Sequence, residues 1–302
     1  MNPKLSKIIL FFKNNRILLY LSKMLQLKFP EKYDLSLTVE CGQIFRFFKF
    51  EQSPIYFIPL KDRIIKVEEK NQHTLEISSN KREGLEELVN EFFRVNDDYL
   101  AIIQNLRIDS LMDEIIGKTE SLHLLKQDPF ECMNSFIISQ FSNIPRITQN
   151  LNNLANCFGK RVIFEEHEFF LFPSHQELFS VTEEQYRELG LGYRAKYLYN
   201  FNQQPPKFFF DNFLTRDALN NELQQIHGVG AKVADCVQLF GFGDLSYFPV
   251  DTWMRKFMQK HYFSDEKKSP KEIRKKGQEL FGKWAGYAQE FIYHYARVYD
   301  SF

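Results

Sequence analysis

The sequence predicts an α+β fold, an N-terminal antiparallel β-sheet domain followed by a mostly α-helical domain. Three observations predict it. Apolar residues alternate with polar ones between Tyr33 and about Ser79, the spacing turns helical near Leu85, and a Gly-x-Gly turn at Gly228 and Gly230 joins two helical stretches.

Residues 1–28 read as an N-terminal extension. It is basic and rich in apolar residues, with Leu5, Ile8, Ile9 and Phe12 on one helical face. Its apolar runs are too short to span a bilayer. Lys13 and Arg16 break the apolar region early, and no small-residue cleavage site follows clearly. A segment docked on the first domain therefore fits better than a targeting peptide.

Residues 29–96 form the expected antiparallel β domain. Leu35, Leu37 and Val39 alternate, Gly42 interrupts, and Ile44–Phe47 and Ile55–Ile58 follow with turn residues between. Residues 97–302 form the expected helical domain. The helical period begins just before it and runs through Leu88, Phe92, Leu100, Ile103 and Leu106, with breaks at Pro129, Pro173, Pro205, Pro206 and Pro249.

A chain of 302 residues can bury a large core. Lys+Arg and Asp+Glu balance at 39 each, so bulk charge lends no support to nucleic-acid binding. The distribution is uneven: Arg255 to Lys276 holds nine basic residues against three acidic ones. That run is either a solvated face or a backbone contact. Cys41, Cys132, Cys157 and Cys236 show no C-x-x-C spacing, so no zinc site, other metal site or disulfide framework is expected. Nothing after Cys236 could supply a four-cysteine iron–sulfur loop. Cysteine usage points to a reducing compartment, cytoplasm or nucleus.

The segment Ile226-His227-Gly228-Val229-Gly230-Ala231-Lys232 has the form of a helix-hairpin-helix. Its glycines permit positive φ and leave no Cβ in the way of a nucleic-acid phosphate. The following helix would offer that phosphate its unpaired N–H groups and the positive end of its dipole. A glycine-capped helix joined to its neighbour by a short turn is the plainer reading. Asp251 lies 19 residues beyond Lys232, after Pro249, where it can cap the next helix. Lys232 falls in the first turn, where the helix dipole disfavours an ammonium, and a neutral amine is a nucleophile. A solvated lysine and an ordinary capping aspartate would give the same spacing.

These residues and several others resemble the helix-hairpin-helix DNA glycosylases, specifically the bifunctional 8-oxoguanine DNA glycosylase/AP-lyase branch. The resemblance rests on GVGAKVADC with its downstream PVD, on Cys41-Gly42-Gln43-Ile44-Phe45-Arg46, and on Gln127-Asp128-Pro129-Phe130-Glu131-Cys132. Asn143-Ile144-Pro145-Arg146-Ile147-Thr148 and Leu189-Gly190-Leu191-Gly192-Tyr193-Arg194-Ala195-Lys196-Tyr197 complete it, so it covers most of the chain from about Tyr33.

The resemblance implies a reaction and a set of roles. Lys232 would attack the sugar C1′ and Asp251 would stabilise the developing positive charge, with no metal or organic cofactor. Gly42, Cys236, Gln289 and Tyr293 would form the base pocket, Tyr293 standing where the family usually has phenylalanine. Arg146 and Arg194 would donate to the unpaired cytosine while Tyr193 wedges into the stack, and Gly228 and Gly230 would meet the DNA backbone.

Two departures are visible. Trp253 replaces a histidine at a phosphate-contact position, so Lys267 to Lys276 could supply that affinity instead. Phe141 replaces the asparagine that fills the space of the extruded base, which relaxes the expected opposite-base selectivity. The expected partner is double-stranded DNA carrying 8-oxoguanine opposite cytosine, bound by a monomer away from any membrane. A glycosylase for another damaged purine and a non-catalytic helix-hairpin-helix DNA-binding protein are the competing readings.

Overall fold

The computed structural model describes residues 24–50, 54–210 and 216–300, apart from the side chains of 216 and 217, together with a backbone pairing of 12–13 with 16–17. Leu5, Ile8 and Ile9 therefore lie outside the described residues, as does the Phe12 side chain.

Five strands form one antiparallel sheet: β1 (Leu25–Lys28), β2 (Phe48–Lys49), β3 (Ile55–Leu60), β4 (Arg63–Asn71) and β5 (Thr74–Ser79), in the order β1-β5-β4-β3-β2. The first strand lies inside the stretch expected to be an extension, where Leu25 and Leu27 alternate as a half-buried strand requires. Register puts Tyr56 opposite Val67 and Val67 opposite Ile77, so one apolar face is continuous across three strands. Leu85, Val89 and Phe92 of helix α2 (Leu85–Phe92) complete that core, which fits their i, i+4, i+7 spacing.

One expected strand is a helix. Leu35, Leu37 and Val39 lie in α1 (Leu35–Glu40), and the Asp34 carboxylate accepts from the Leu37 amide at 2.7 Å. The cap decides it, since Leu35 and Val39, one turn apart, are the fully buried pair and Leu37 is only half-buried.

The rest is mostly helical: α3 (Tyr99–Leu106), α4 (Ser110–Thr119), α5 (Pro129–Ser139), α6 (Ile144–Phe158), α7 (His175–Phe179), α8 (Glu183–Glu188), α9 (Arg194–Gln203), α10 (Arg216–Gln225), α11 (Ala231–Cys236), α12 (Thr252–Tyr262), α13 (Pro270–Phe281) and α14 (Ala285–Val298). Helix α5 is the central one. Asp128 caps its amides at Phe130 and Glu131 at 3.0 Å, Pro129 starts it, and an unbroken buried run from Cys132 to Ile138 shows that it is surrounded.

A hairpin of β6 (Arg161–Phe164) and β7 (His167–Phe170) interrupts the helices, an element the helical reading of this region missed. Phe169 and Leu171 join Phe57 and Ile64 of the sheet in a small shared core, so the hairpin ties the helical part to the β part.

Candidate active site and nucleic-acid interface

The hairpin turn sets the position of Lys232. Gly228 has φ +86, and a Cβ there would overlap the Tyr197 ring, so only glycine fits. Gly230 differs from expectation: its φ is −93, and it serves as the extended cap residue of α11. A Cβ at Gly230 would meet nothing within 4 Å, so the space beside the helix start is open. Lys232 follows, half-buried, with Nζ 4.9 Å from the centroid of the Phe136 ring on α5.

Cys236 lies one turn beyond Lys232 and is buried. Burial pushes its thiol up to about 12, while the adjacent lysine opposes that shift. The helix widens into a π-helical turn at Val237–Gly241, a form frequent at functional sites. Asp251 caps α12, accepting from the Met254 amide at 2.8 Å. Burial raises its carboxyl above the ordinary range, opposed by the Met254 amide and by Lys232. The fold thus brings Lys232, Cys236 and Asp251 into one electrostatic cluster.

A second group converges from both ends of the chain. Gly42 adopts φ +110 in the turn after α1, and a Cβ there would lie 2.9 Å from Ile144 Cδ1 and 3.7 Å from Tyr293 Cε1. Tyr293 and Gln289 sit one turn apart on α14. Gln289 is buried, and among the described residues its Oε1 has no hydrogen-bond partner. Between them Glu290 is buried against Cys41, its carboxyl pushed up to about 7 by burial, with Oε1 also unpartnered.

The remaining residues lie around the loop between α5 and α6. Phe141 is 95% exposed with φ +48, a left-handed conformation that is an outlier for a bulky side chain. Arg146 is exposed in the first turn of α6, which Asn143 caps at 3.0 Å. Tyr193 is 45% exposed and its hydroxyl donates to the Gln140 carbonyl at 3.3 Å. Its ring lies 5.7 Å from that of Tyr197, which packs edge-on to His227 at 5.0 Å.

Arg194 is placed differently from Arg146. It is buried, its Nη2 donates to the carbonyls of Gln140 and Phe141, and its guanidinium stacks 4.7 Å from the Tyr193 ring centroid.

The basic run is partly neutralised. Lys268 pairs with Glu266 at 2.7 Å, Arg274 with Asp235 at 2.7 Å and Lys275 with Glu279 at 3.6 Å. Trp253 is 37% exposed in the first turn of α12. Among the described residues no cluster of His, Cys, Asp and Glu could hold a metal, and no helix is long and apolar enough to cross a membrane.

Against known proteins, residues 26–133 match the N-terminal domain of 8-oxoguanine DNA glycosylase and residues 134–283 match the HhH-GPD superfamily of base excision DNA repair proteins. The chain belongs to the 8-oxoguanine DNA glycosylase family.

The Clostridium acetobutylicum 8-oxoguanine glycosylase/lyase, solved with dsDNA containing cytosine opposite 8-oxoG, is 32% identical to this family member. The superposition covers 88% of this chain and 92% of that one, with a TM-score of 0.80. MBOgg1, solved with a low-affinity DNA ligand, is 27% identical over 97% of this chain and 99% of its own, with a TM-score of 0.82. An N-glycosylase/DNA lyase of Saccharomyces cerevisiae is 32% identical over 205 residues, 62% of this chain. The match spans 54% of the yeast protein, about half its length.

Sequence reasoning missed two residues that pack against Cys41 beside Gly42 in this glycosylase-family chain. Glu290 reads as an ordinary charged residue next to Gln289, and nothing in its spacing signals burial. Arg297 donates from Nη1 to the Cys41 carbonyl at 2.7 Å and stacks 5.1 Å from the Tyr293 ring centroid. Its signal was available, because it stands four residues beyond Tyr293 on one helix.

Proposed function

We propose that this chain excises 8-oxoguanine from duplex DNA and then nicks the strand at the resulting site. The carrying observation is the cluster of Lys232, Cys236 and Asp251, whose carboxylate also bears on Glu290 and Tyr293, together with the buried Gln289 Oε1 on that same helix, which lacks a partner among the described residues. An orphaned buried acceptor costs about 1–3 kcal/mol, so a donor edge from a flipped base is the natural occupant.

In the proposed reaction the Lys232 amine attacks C1′ as the bond from C1′ to the base breaks and the base leaves with its electron pair. Asp251 stabilises the oxocarbenium-like transition state through its charge. The sugar ring opens to a Schiff base on Lys232, a proton leaves C2′, and the 3′ phosphate departs with the electrons of its C–O bond. Gly42, Cys236, Gln289 and Tyr293 form the base pocket in this reading. Phe141, Arg146, Tyr193, Arg194, Gly228 and Gly230 meet the DNA. The partner is a duplex with 8-oxoguanine opposite cytosine, bound by a monomer in the cytoplasm or nucleus.

Borohydride trapping on a duplex containing 8-oxoguanine tests this directly. A covalent adduct with the parent, absent from Lys232→Gln, supports it. No adduct and no strand nicking by the parent would refute it.

A further inference from the structure

Arg297 stands where Gly42 and Tyr293 of the proposed base pocket meet the Cys41 carbonyl. Its guanidinium lies over Tyr293, its Nη1 donates to the Cys41 carbonyl at 2.7 Å, and the same atom lies 3.3 Å from where a Cβ on Gly42 would be. Its charge also bears on Asp251 and Glu290, opposing the upward shift of both carboxyls.

Gly42 needs such fixing. At φ +110 it occupies a region that L side chains rarely adopt, and glycine rotates more freely than any other residue. The following residue is firmly held. Gln43 donates to the carbonyls of Thr38 and His123, both at 2.8 Å, accepts from the Leu125 amide at 2.7 Å, and its own carbonyl accepts from Gln127 at 2.7 Å. On the other side, Arg297 tethers the Cys41 carbonyl from a helix more than 250 residues away in sequence. Since a peptide unit is planar, holding Cys41 O fixes the plane before Gly42, while the anchored Gln43 side chain and carbonyl restrain the Cα at the far end of the plane after it.

We infer that Arg297 is a positioning residue for substrate choice, holding the Gly42 backbone and the Tyr293 ring in the arrangement that admits an oxidised purine. The guanidinium suits this double duty because it stacks with its face and donates with its edge. A lysine keeps the donor and loses the plane. The inference rests on the base-excision reading above.

The test compares Arg297→Ala, Arg297→Lys and Arg297→Gln with the parent, in single-turnover excision of 8-oxoguanine opposite cytosine and in cleavage of a preformed abasic site. An abasic site has no base to position. Arg297→Ala should lower excision about tenfold more than it lowers abasic cleavage. Lysine and glutamine, which retain a donor toward Cys41, should restore part of the difference.

If both activities fall by the same factor, or the salt slope of duplex binding drops while the ratio of activities holds, Arg297 is a structural or phosphate-contact residue and the inference is overturned. The lysine and glutamine variants serve if alanine prevents folding, and equal losses in both would overturn it as well. A parent enzyme that cleaves abasic sites but releases no 8-oxoguanine would refute the substrate reading instead, a distinct result.

Discussion

Arg194 donates from Nε to the carbonyl oxygen of Gln140 at 2.8 Å, which anchors the backbone immediately before Phe141. With a further Nη2 bond to Phe141 O at 3.1 Å, the guanidinium holds an exposed aromatic ring in a left-handed backbone. A bulky residue costs roughly 1–2 kcal/mol there, whereas asparagine visits the region readily.

Phe141→Asn should therefore stabilise the protein by up to about 1 kcal/mol, read as a higher Tm. The same variant should raise the ratio of single-turnover rates opposite cytosine and adenine, because an amide discriminates by hydrogen bonding while a phenyl ring stacks beside any base. A ratio that stays level or falls in a folded variant would remove Phe141 from selectivity.

Asp251→Asn should separate capping from chemistry. Asparagine caps a helix as well as aspartate does, so Tm should stay within a degree or two. An amide carries no charge toward Lys232, so turnover should fall by about 10²-fold or more while duplex binding persists. Full single-turnover activity in this variant would exclude Asp251 from the mechanism.

Replacing Lys275 and Lys276 with alanine should weaken every duplex alike and reduce the salt slope by roughly one unit or less for each phosphate no longer neutralised. Because Lys275 already faces Glu279 at 3.6 Å, the smaller share should come from Lys275→Ala alone. Salt titrations that overlay the parent would show that this face meets solvent only.

Glu290 gives a pH signature. Its folded carboxyl is pushed up to about 7, against about 4.3 for an unfolded glutamate, so between those values the native state holds the extra proton. Stability from the neutral acid is complete at low pH and is lost as pH rises toward 7, at about 1.4 kcal/mol per pH unit. Chemical denaturation of the parent and Glu290→Gln between pH 5 and 7 should show the parent losing ground to the variant. Parallel curves would mean that Glu290 is ionised throughout.

The parts of the fold that were legible in sequence are those where one local signal dominates. Val67 and Ile77 alternate cleanly, Leu85, Val89 and Phe92 keep one helical face, and Asp251 caps as its position suggests. Leu35, Leu37 and Val39 misled because three alternating apolar residues fit either period, and the deciding bond came from Asp34 just outside the pattern. The β6–β7 hairpin was missed for its brevity. Its tight turn uses Glu165 and Glu166 at φ +48 and +68 instead of the glycines or asparagines that announce such turns. At the site, spacing singled out Lys232 and Asp251 without separating them from a solvated lysine and an ordinary cap, while Arg194 turning inward depends on carbonyls at Gln140 and Phe141 that no side-chain pattern records.

The Tyr197 ring seats the Gly228 turn and touches Tyr193 at 5.7 Å, so the hairpin and the ring beside Phe141 belong to one stiff aromatic strut. In the proposed reading, a contact on the sugar-phosphate rail and a contact within the base stack are then set at a constant separation, like the jaws of a caliper. Such a gauge closes only on a helix whose local geometry matches its span.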